Sequence, residues 1–391
     1  MPLHPDIADS GFAALEALSS CPAPAGDLPA KVVMCPDLLQ RFAAVSDGRR
    51  EQGRIHPVAV VLTLCAAAVV AGMGSFTAIA GWAADVPAEL LAQLYGRDAE
   101  SPSKATIWRV VTGADAAAVD AVIGAWLAGH STARESDPDP VAPVAIAVDG
   151  KTMRGATDAE GNQVHLLAAA THSDALVLGQ IEVGAKTNEI PMFAPLLDKL
   201  AGTGVDLAQT MITADALHTQ RAHAQYLHQR GAGFVLTAKQ NQPALFAALD
   251  ALPWAQVPIA VRDIDTGHGR ITTRTIQVLP APADLPFPHV NQVWLVERYT
   301  TDPAGAPLSA VAALGVTNLL TDRAAPDRLA TLIRQHWGIE SLHWLRDTLY
   351  REDNSTIHTR SGPRVMAGLP GHWPGVFTTI FMIRVFGVSG Q

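Results

Sequence analysis

Cysteine is scarce in this chain: 391 residues hold three, Cys21, Cys35 and Cys65, an odd number with no metal-ligand spacing. That argues against a disulfide framework and against a cysteine zinc site, and it fits a reducing cytosol. Basic residues are also in deficit, 28 Lys and Arg against 37 Asp and Glu, for a net charge of −9. The broad basic footprint of many nucleic-acid binders is therefore missing, although a local basic face or a cluster of metal-binding carboxylates can hide in such a total. No glycine loop of the Walker or dinucleotide type, no internal repeat and no basic-then-apolar export signal is visible. Charge is absent altogether from 55–84, and 58–71 is almost wholly apolar. A membrane span needs about 20 apolar residues. This run is shorter, Ala-rich and followed by Gly72, Gly74 and Ser75, so it predicts a buried helix of a helical domain and no membrane partner.

What is present is a folding composition, 48% hydrophobic and 17% charged, in a chain long enough for two or three domains with real cores. Residues 1–30, rich in Ala, Pro and Ser, read as a poorly ordered lead-in. Helical signals fill 31–130: Asp37 precedes apolar spacing, Ser75 opens a second run, and Ser103 caps a helix whose first turns carry Lys104 and Arg109. That last helix fits either contact with a DNA backbone or an ordinary solvated surface. Residues 131–143, with Ser-Asp-Pro-Asp-Pro, form a linker.

After the linker the period changes. The apolar run 144–148 predicts a buried strand ending on Asp149, and 164–172 with 175–183 a hairpin-like pair. Asn188-Glu-Ile-Pro191 opens a helix, 210–215 is a second strand ending on a carboxylate, 219–230 is helical, and 234–238 is a strand leading to Lys239. This order predicts an α/β domain, a mixed sheet flanked by helices, over 144–252 and 321–369. Runs rich in Thr, Val and Ile with Gly and Pro breaks predict a β-rich insertion over 253–320, including a single run at 262–278.

The chemically richest stretch runs from Arg334 to Asp353. Read as one helix at about 3.6 residues per turn, it sets His336, Glu340, His343 and Asp347 on one stripe. The stripe admits a zinc site of His336, Glu340 and His343, although not in the His-Glu-x-x-His arrangement. It also admits a half-buried helix whose His and Trp pack while its Asp and Arg pair at the surface. The third option joins it to Asp149 and Asp215. Two strand-end aspartates can stand side by side, and like charges so close raise one another's pKa unless a cation intervenes. Mg²⁺ takes carboxylate oxygens, and two such ions about 3.5–4 Å apart can activate an attacking oxygen and stabilise a leaving one in phosphoryl transfer.

Several blocks taken in order carry a resemblance. They are Val148-Asp149-Gly150-Lys151-Thr152-Met-Arg154-Gly155, Thr213-Ala-Asp215-Ala216-Leu-His-Thr-Gln220, Ala238-Lys239-Gln-Asn241-Gln242, His268-Gly269-Arg270, and His336-Trp337-Gly-Ile339-Glu340 through His343, Trp344, Asp347, Glu352 and Asp353. Together the chain resembles the DDE transposases of bacterial insertion sequences, the ISAs-type group that includes the H-repeat-associated proteins. The resemblance implies a ribonuclease H-like catalytic domain interrupted by the β-rich insertion and preceded by a helical DNA-binding region. It implies Asp149, Asp215 and Glu340 as a triad holding Mg²⁺, with Mn²⁺ as substitute, for nicking an element end and joining the freed 3′-hydroxyl to target DNA. Lys104, Arg109, Lys151, Arg154, Lys239, Arg270, Arg274 and Arg334 become candidate contacts to DNA phosphates. The partners implied are the element's terminal inverted repeats and target DNA, bound by a homodimer in the bacterial cytoplasm at the nucleoid. Two other functions fit the same residues: a non-catalytic DNA-binding relic of a transposase, and a metal-dependent phosphohydrolase of small phosphates, which the pI of about 5.8 suits.

The end of the chain departs from the resemblance. Ser341 stands where the family usually has Asn, and after Leu369 a relative continues as an Arg-bearing, Leu/Ala-rich helix. Here 370–391 is an atypical tail that opens with Pro370 and Pro374, and two prolines four apart do not continue a helix. A frameshifted or decayed C-terminus, which would bear on the activity of this copy, predicts that the expected helix is encoded in another reading frame past codon 369. Its absence from the other frames would contradict that origin.

Overall fold

The computed structural model describes residues 36–51, 54–128, 143–157, 161–173, 175–184, 186–267, 269–348 and 357–371. The expected lead-in, nearly all of the linker, His268, residues 349–356 and the tail from 372 lie outside the described residues, as do Cys21 and Cys35.

Among the described residues six helices come first: α1 (Pro36–Phe42), α2 (Val58–Val70), α3 (Phe76–Ala84), α4 (Ala88–Tyr95), α5 (Lys104–Gly113) and α6 (Ala116–Ala128). Helix α2 has no charged residue, and every residue from Ala59 to Val70 is buried, so it has no solvent face and forms the centre of the helical layer. Among the described residues no single helix is long and apolar enough to cross a membrane. Caps set the boundaries: the Ser75 hydroxyl accepts from the Ala78 N–H and the Ser103 hydroxyl from the Thr106 N–H. Helix α5 turns Ile107, Val110 and Val111 inward and leaves Lys104, Trp108 and Arg109 exposed.

Among the described residues nine strands follow in one mixed sheet, in the order β3-β2-β1-β4-β5-β9-β8-β7-β6. Strands β1 (Val144–Thr157), β2 (Gln163–Thr171) and β3 (Val177–Glu182) are antiparallel neighbours, while β4 (Thr210–Ala214) and β5 (Gly233–Ala238) run parallel to β1. Helices α7 (Phe193–Gly202), α8 (Arg221–Gln229) and α9 (Pro243–Asp250) lie in the intervening segments. Strands β6 (Val261–Gly267), β7 (Arg270–Pro280), β8 (Gln292–Thr301) and β9 (Pro307–Thr317) form an antiparallel meander that joins the sheet through β9 against β5. The run expected as one strand over 262–278 is two, folded back at Gly269, whose φ of 70° is left-handed.

Two other expectations shift. Strand β1 does not end at Asp149. Its parallel pairing with β4 stops at Val148, but its antiparallel pairing with β2 carries the strand on to Thr157. The stretch after Ala325 is two helices, α10 (Pro326–His336) and α11 (Gly338–Thr348), interrupted at Trp337 just before Gly338, a poor helix former.

The helical layer is anchored to the sheet. Helix α6 crosses β3 so closely that a Cβ on Gly124 would stand 2.2 Å from the Leu178 carbonyl oxygen. Helix α12 (Gly362–Gly371) inserts Val365, Met366 and Leu369 into the core of the helical layer. At the seam Asp120 of α6, 1% exposed, pairs with Arg364 of α12 and accepts from Gln180 Nε2 of β3 at 2.9 Å, with Lys199 Nζ of α7 at 4.0 Å. Truncating one member of a buried ion pair strands the other charge. Asp120→Ala should therefore cost about 3–5 kcal/mol of stability in chemical denaturation, and a loss below about 1 kcal/mol would show that the seam is not held there.

Candidate active site

The register of β1 on β4 builds the site. Val148 pairs with Ala214, so Asp149 and Asp215 are the next residues out on adjacent parallel strands. The two chains part at that point. Asp149 continues along β1 opposite Ala168, whereas Asp215 caps a short 3₁₀ turn, Ala216–His218, accepting from the Leu217 N–H at 3.0 Å. A carboxylate is favoured there because it satisfies an otherwise unpaired N–H at the turn's start.

Glu340 arrives on α11. Ile339 and Leu342, each 2% exposed, pack on a platform of Ala147, Ala168, Ala170 and Val177 from β1, β2 and β3, where small side chains let the helix come close. Two polar contacts tie the helix to β1: His343 Nδ1 stands 3.5 Å from Asp149 Oδ2, and Lys151 Nζ donates to Asp347 Oδ1 at 2.6 Å. The spacings match, since residues two apart share a strand face and residues four apart share a helix face. Glu340 itself is exposed.

Electrostatics link these groups. Burial pushes the Asp149 carboxyl up to about 7; the Gly150 N–H opposes this, and the charges of Asp215, Glu189 and Glu340 add to the rise. As the side chains stand, no three His, Cys, Asp or Glu among the described residues lie together closely enough to hold a metal ion. The donor chemistry nevertheless fits a hard divalent cation: Asp149, Asp215 and Glu340 are carboxylates, and burial, with the neighbouring negative charges adding to it, brings Asp149 up to about 7.

The histidines divide among different partners. His336 Nδ1 meets the Thr213 hydroxyl at 2.9 Å, and His172 Nε2 meets the same hydroxyl at 2.8 Å. Burial, with the His218 charge adding to it, lowers His336 to about 4. His172 falls to about 3, mainly through burial and then through His336. Because His336 serves Thr213 and His343 faces Asp149, the stripe of one long helix is divided, and its imidazoles do not converge on one point.

Among the predicted phosphate contacts, Lys151 is buried in its pair with Asp347, while Arg154, Lys239, Lys104 and Arg109 are exposed. Arg334 pairs with Asp263 at 2.8 Å and lies 3.9 Å from Asp265, which stands at the same distance from Arg274. Arg270, partly buried, opens β7 on the same meander. Sequence reasoning missed Glu189. It read Asn188-Glu-Ile-Pro191 only as a helix start, yet Glu189 Oε1 lies 2.8 Å from His165 Nε2 and its Oε2 3.1 Å from His218 Nε2. Burial alone would raise Glu189, but these two imidazoles outweigh it and bring the carboxyl down to about 2. No local signal marked it, because Glu189 follows Lys186, Thr187 and Asn188 in a polar stretch and its partners are distant in sequence.

The sign of the Asp149 effect is testable. Its folded pKa of about 7 lies above the ordinary carboxylate value of 3.8, so the folded state binds the extra proton and stability falls as pH rises between those values. Asp149→Asn mimics the protonated form. In EDTA it should raise Tm by about 2 °C or more at pH 8 and change it little at pH 5; equal effects at both would show that the carboxyl titrates normally.

Comparison with known proteins matches both regions. Residues 39–127 fit the family model described as DDE_Tnp_1-associated, and 141–369 the model described as Transposase DDE domain. YncI of Escherichia coli O157:H7, which bears a transposase name, is 28% identical over 348 residues, 85% of each chain. YhhI of Escherichia coli strain K12, named as an H repeat-associated transposase, is 24% identical over 85% of this chain and 88% of its own. A piggyBac transposase synaptic complex with hairpin DNA overlays at a TM-score of 0.39 and 10% identity, covering 92% of this chain and 74% of that one, too loosely to define a shared fold.

Proposed function

The chain belongs to the DDE transposase family, and we propose that it carries out metal-dependent DNA strand cleavage and strand transfer of an insertion sequence, with Asp149, Asp215 and Glu340 as its acidic triad. The observation that carries this reading is the β1–β4 register, which makes two aspartates distant in sequence immediate neighbours, with Glu340 acting on the charge of one of them. The strand order 3-2-1-4-5, with the first three antiparallel and the last two parallel to β1, supports a ribonuclease H-like core, to which β6–β9 is the β-rich insertion. Residues 31–130 are the associated helical region in this reading.

Asp149, Asp215 and Glu340 would hold Mg²⁺, or Mn²⁺ in its place. Such a cation supplies polarisation of phosphoryl oxygens and neutralises charge that develops in the transition state. The chain's own residues do the rest by position. Asp149 must be ionised to serve as a ligand, so a cation binding there competes with its proton. Helix α11, seated on alanines and held by the Lys151–Asp347 pair, fixes where Glu340 projects. The exposed cations Lys104, Arg109, Arg154 and Lys239, with Arg270, Arg274 and Arg334 of the meander and α10, offset the acidic site enough for a polyanion to approach. The reaction needs no enzyme nucleophile. Water bonds to a phosphorus at the element end, the bond to the 3′-oxygen breaks, and that oxygen leaves as a hydroxyl. The hydroxyl then attacks a target phosphodiester in the same sense. Two ends and two cuts suit a homodimer.

The test is Mg²⁺-dependent nicking of a duplex carrying the terminal inverted repeats that flank the gene. Asp149→Asn should lower cleavage at least about 100-fold while leaving the gel shift intact, and binding should weaken steeply with salt. Asp347→Asn, which loosens α11 but removes no proposed ligand, should retain measurable cleavage. Cleavage by Asp149→Asn at the parent rate would sink the triad, and salt-insensitive binding would favour a phosphohydrolase of small molecules.

A further inference from the structure

We propose that Glu189 is a positioning residue that clamps the Asp215 turn to β1 and β2 and so sets where the two aspartates stand relative to one another. This deepens the function proposed above and rests on it.

Glu189 follows β3 and precedes the 3₁₀ turn Ile190–Met192, outside every block that carries the triad. Its carboxylate reaches the three segments that define the aspartate pair, two of them through histidine side chains and the third at Gly150. Toward β2, Oε1 lies 2.8 Å from His165 Nε2, and the other nitrogen of that ring lies 2.6 Å from the Thr152 hydroxyl of β1. Toward Asp215, Oε2 lies 3.1 Å from Nε2 of His218, the last residue of the turn that Asp215 caps. His218 is fully buried, with its ring 5.2 Å from that of Phe193, so it transmits position instead of swinging free. Toward Asp149, the carboxylate lies against Gly150: a Cβ there would stand 2.0 Å from Glu189 Oε1. Glycine at 150 is thus what allows the approach.

Both carboxylate oxygens are committed to imidazoles, one on each side of the aspartate pair. The arrangement is a brace. The β1–β4 pairing stops at Val148 and Ala214, and beyond it the Glu189 carboxylate spans from the turn to β2 through its two histidines. Partners that orient a metal's ligands usually change affinity or activity about 10–100-fold when removed, and Glu189 acts at one remove on two ligands at once.

The experiment uses the full chain and Mn²⁺ titrated by electron paramagnetic resonance, beside circular dichroism, gel shift and nicking. Glu189→Gln keeps the side chain's shape and loses its charge. It should fold and shift DNA like the parent, bind Mn²⁺ about 10–100-fold more weakly, and recover cleavage as Mn²⁺ is raised, whereas Asp149→Asn recovers none. Should Glu189→Gln fail to fold, His165→Gln decides, because His165 is partly exposed and its loss loosens only one side of the brace. It should weaken Mn²⁺ binding in the same direction but less. Parent-like affinity in Glu189→Gln overturns the brace and leaves the triad standing. Tighter Mn²⁺ binding in His165→Gln also overturns it, since a carboxylate freed from its histidine would then be serving as a ligand. If parent and Asp149→Asn alike show no saturable Mn²⁺ binding, the metal-dependent function itself falls, and the brace with it.

Discussion

Like charges do not gather in a protein interior without a reason, and the repulsion at Asp149 is the constraint around which the rest of this chain is arranged. Two parallel strands end their pairing at Val148 and Ala214, so the next residue on each is an aspartate beside an aspartate. Burial then makes the charge costly, and Glu189 and Glu340 make it costlier. Such a cluster is stable only where the carboxyl stays protonated or where a cation joins it. That is a poor way to build a core and a serviceable way to build the site proposed to bind metal and phosphate together.

The supporting structure keeps this unfavourable group in place. Alanines on two strands, with Val177 on a third, let α11 settle onto the sheet, and Lys151 with Asp347 closes the contact from the strand side. On the other flank two histidines hold Glu189, and through it the turn after Asp215. Farther out, Asp120 gathers Arg364, Gln180 and Lys199 from three other elements, so the helical layer, the edge of the sheet and helix α12 are joined at one buried carboxylate. The helices proposed to meet DNA are thereby held to the sheet that carries the aspartates by packing and charge together.

Much of the fold was legible because it is local. Ser75 and Ser103 announce their helices by capping chemistry, and the strand-like runs at 164–172 and 234–238 become strands. The aspartates were visible as carboxylates at the edges of apolar runs. What could not be read was where β1 ends, since its continuation past Asp149 depends on β2 and not on its own residues. The break at Trp337 escaped notice because a stripe of polar groups at helical spacing looks the same whether or not the helix is interrupted. Glu189 was invisible as part of the site for a similar reason: its meaning lies in His165, 24 residues before it, and His218, 29 after.

By itself, then, the sequence determined the apolar periods, the caps and the order of the acidic and basic blocks, because each depends on residues within a turn or two of one another. Only the tertiary structure decided which strands are neighbours, that Lys151 is buried against Asp347 and not free for phosphate, and that Glu189 stands against Gly150. Those outcomes follow from register and close approach between distant segments. A shift of one residue in the β1–β4 pairing would leave every local signal unchanged and separate the two aspartates.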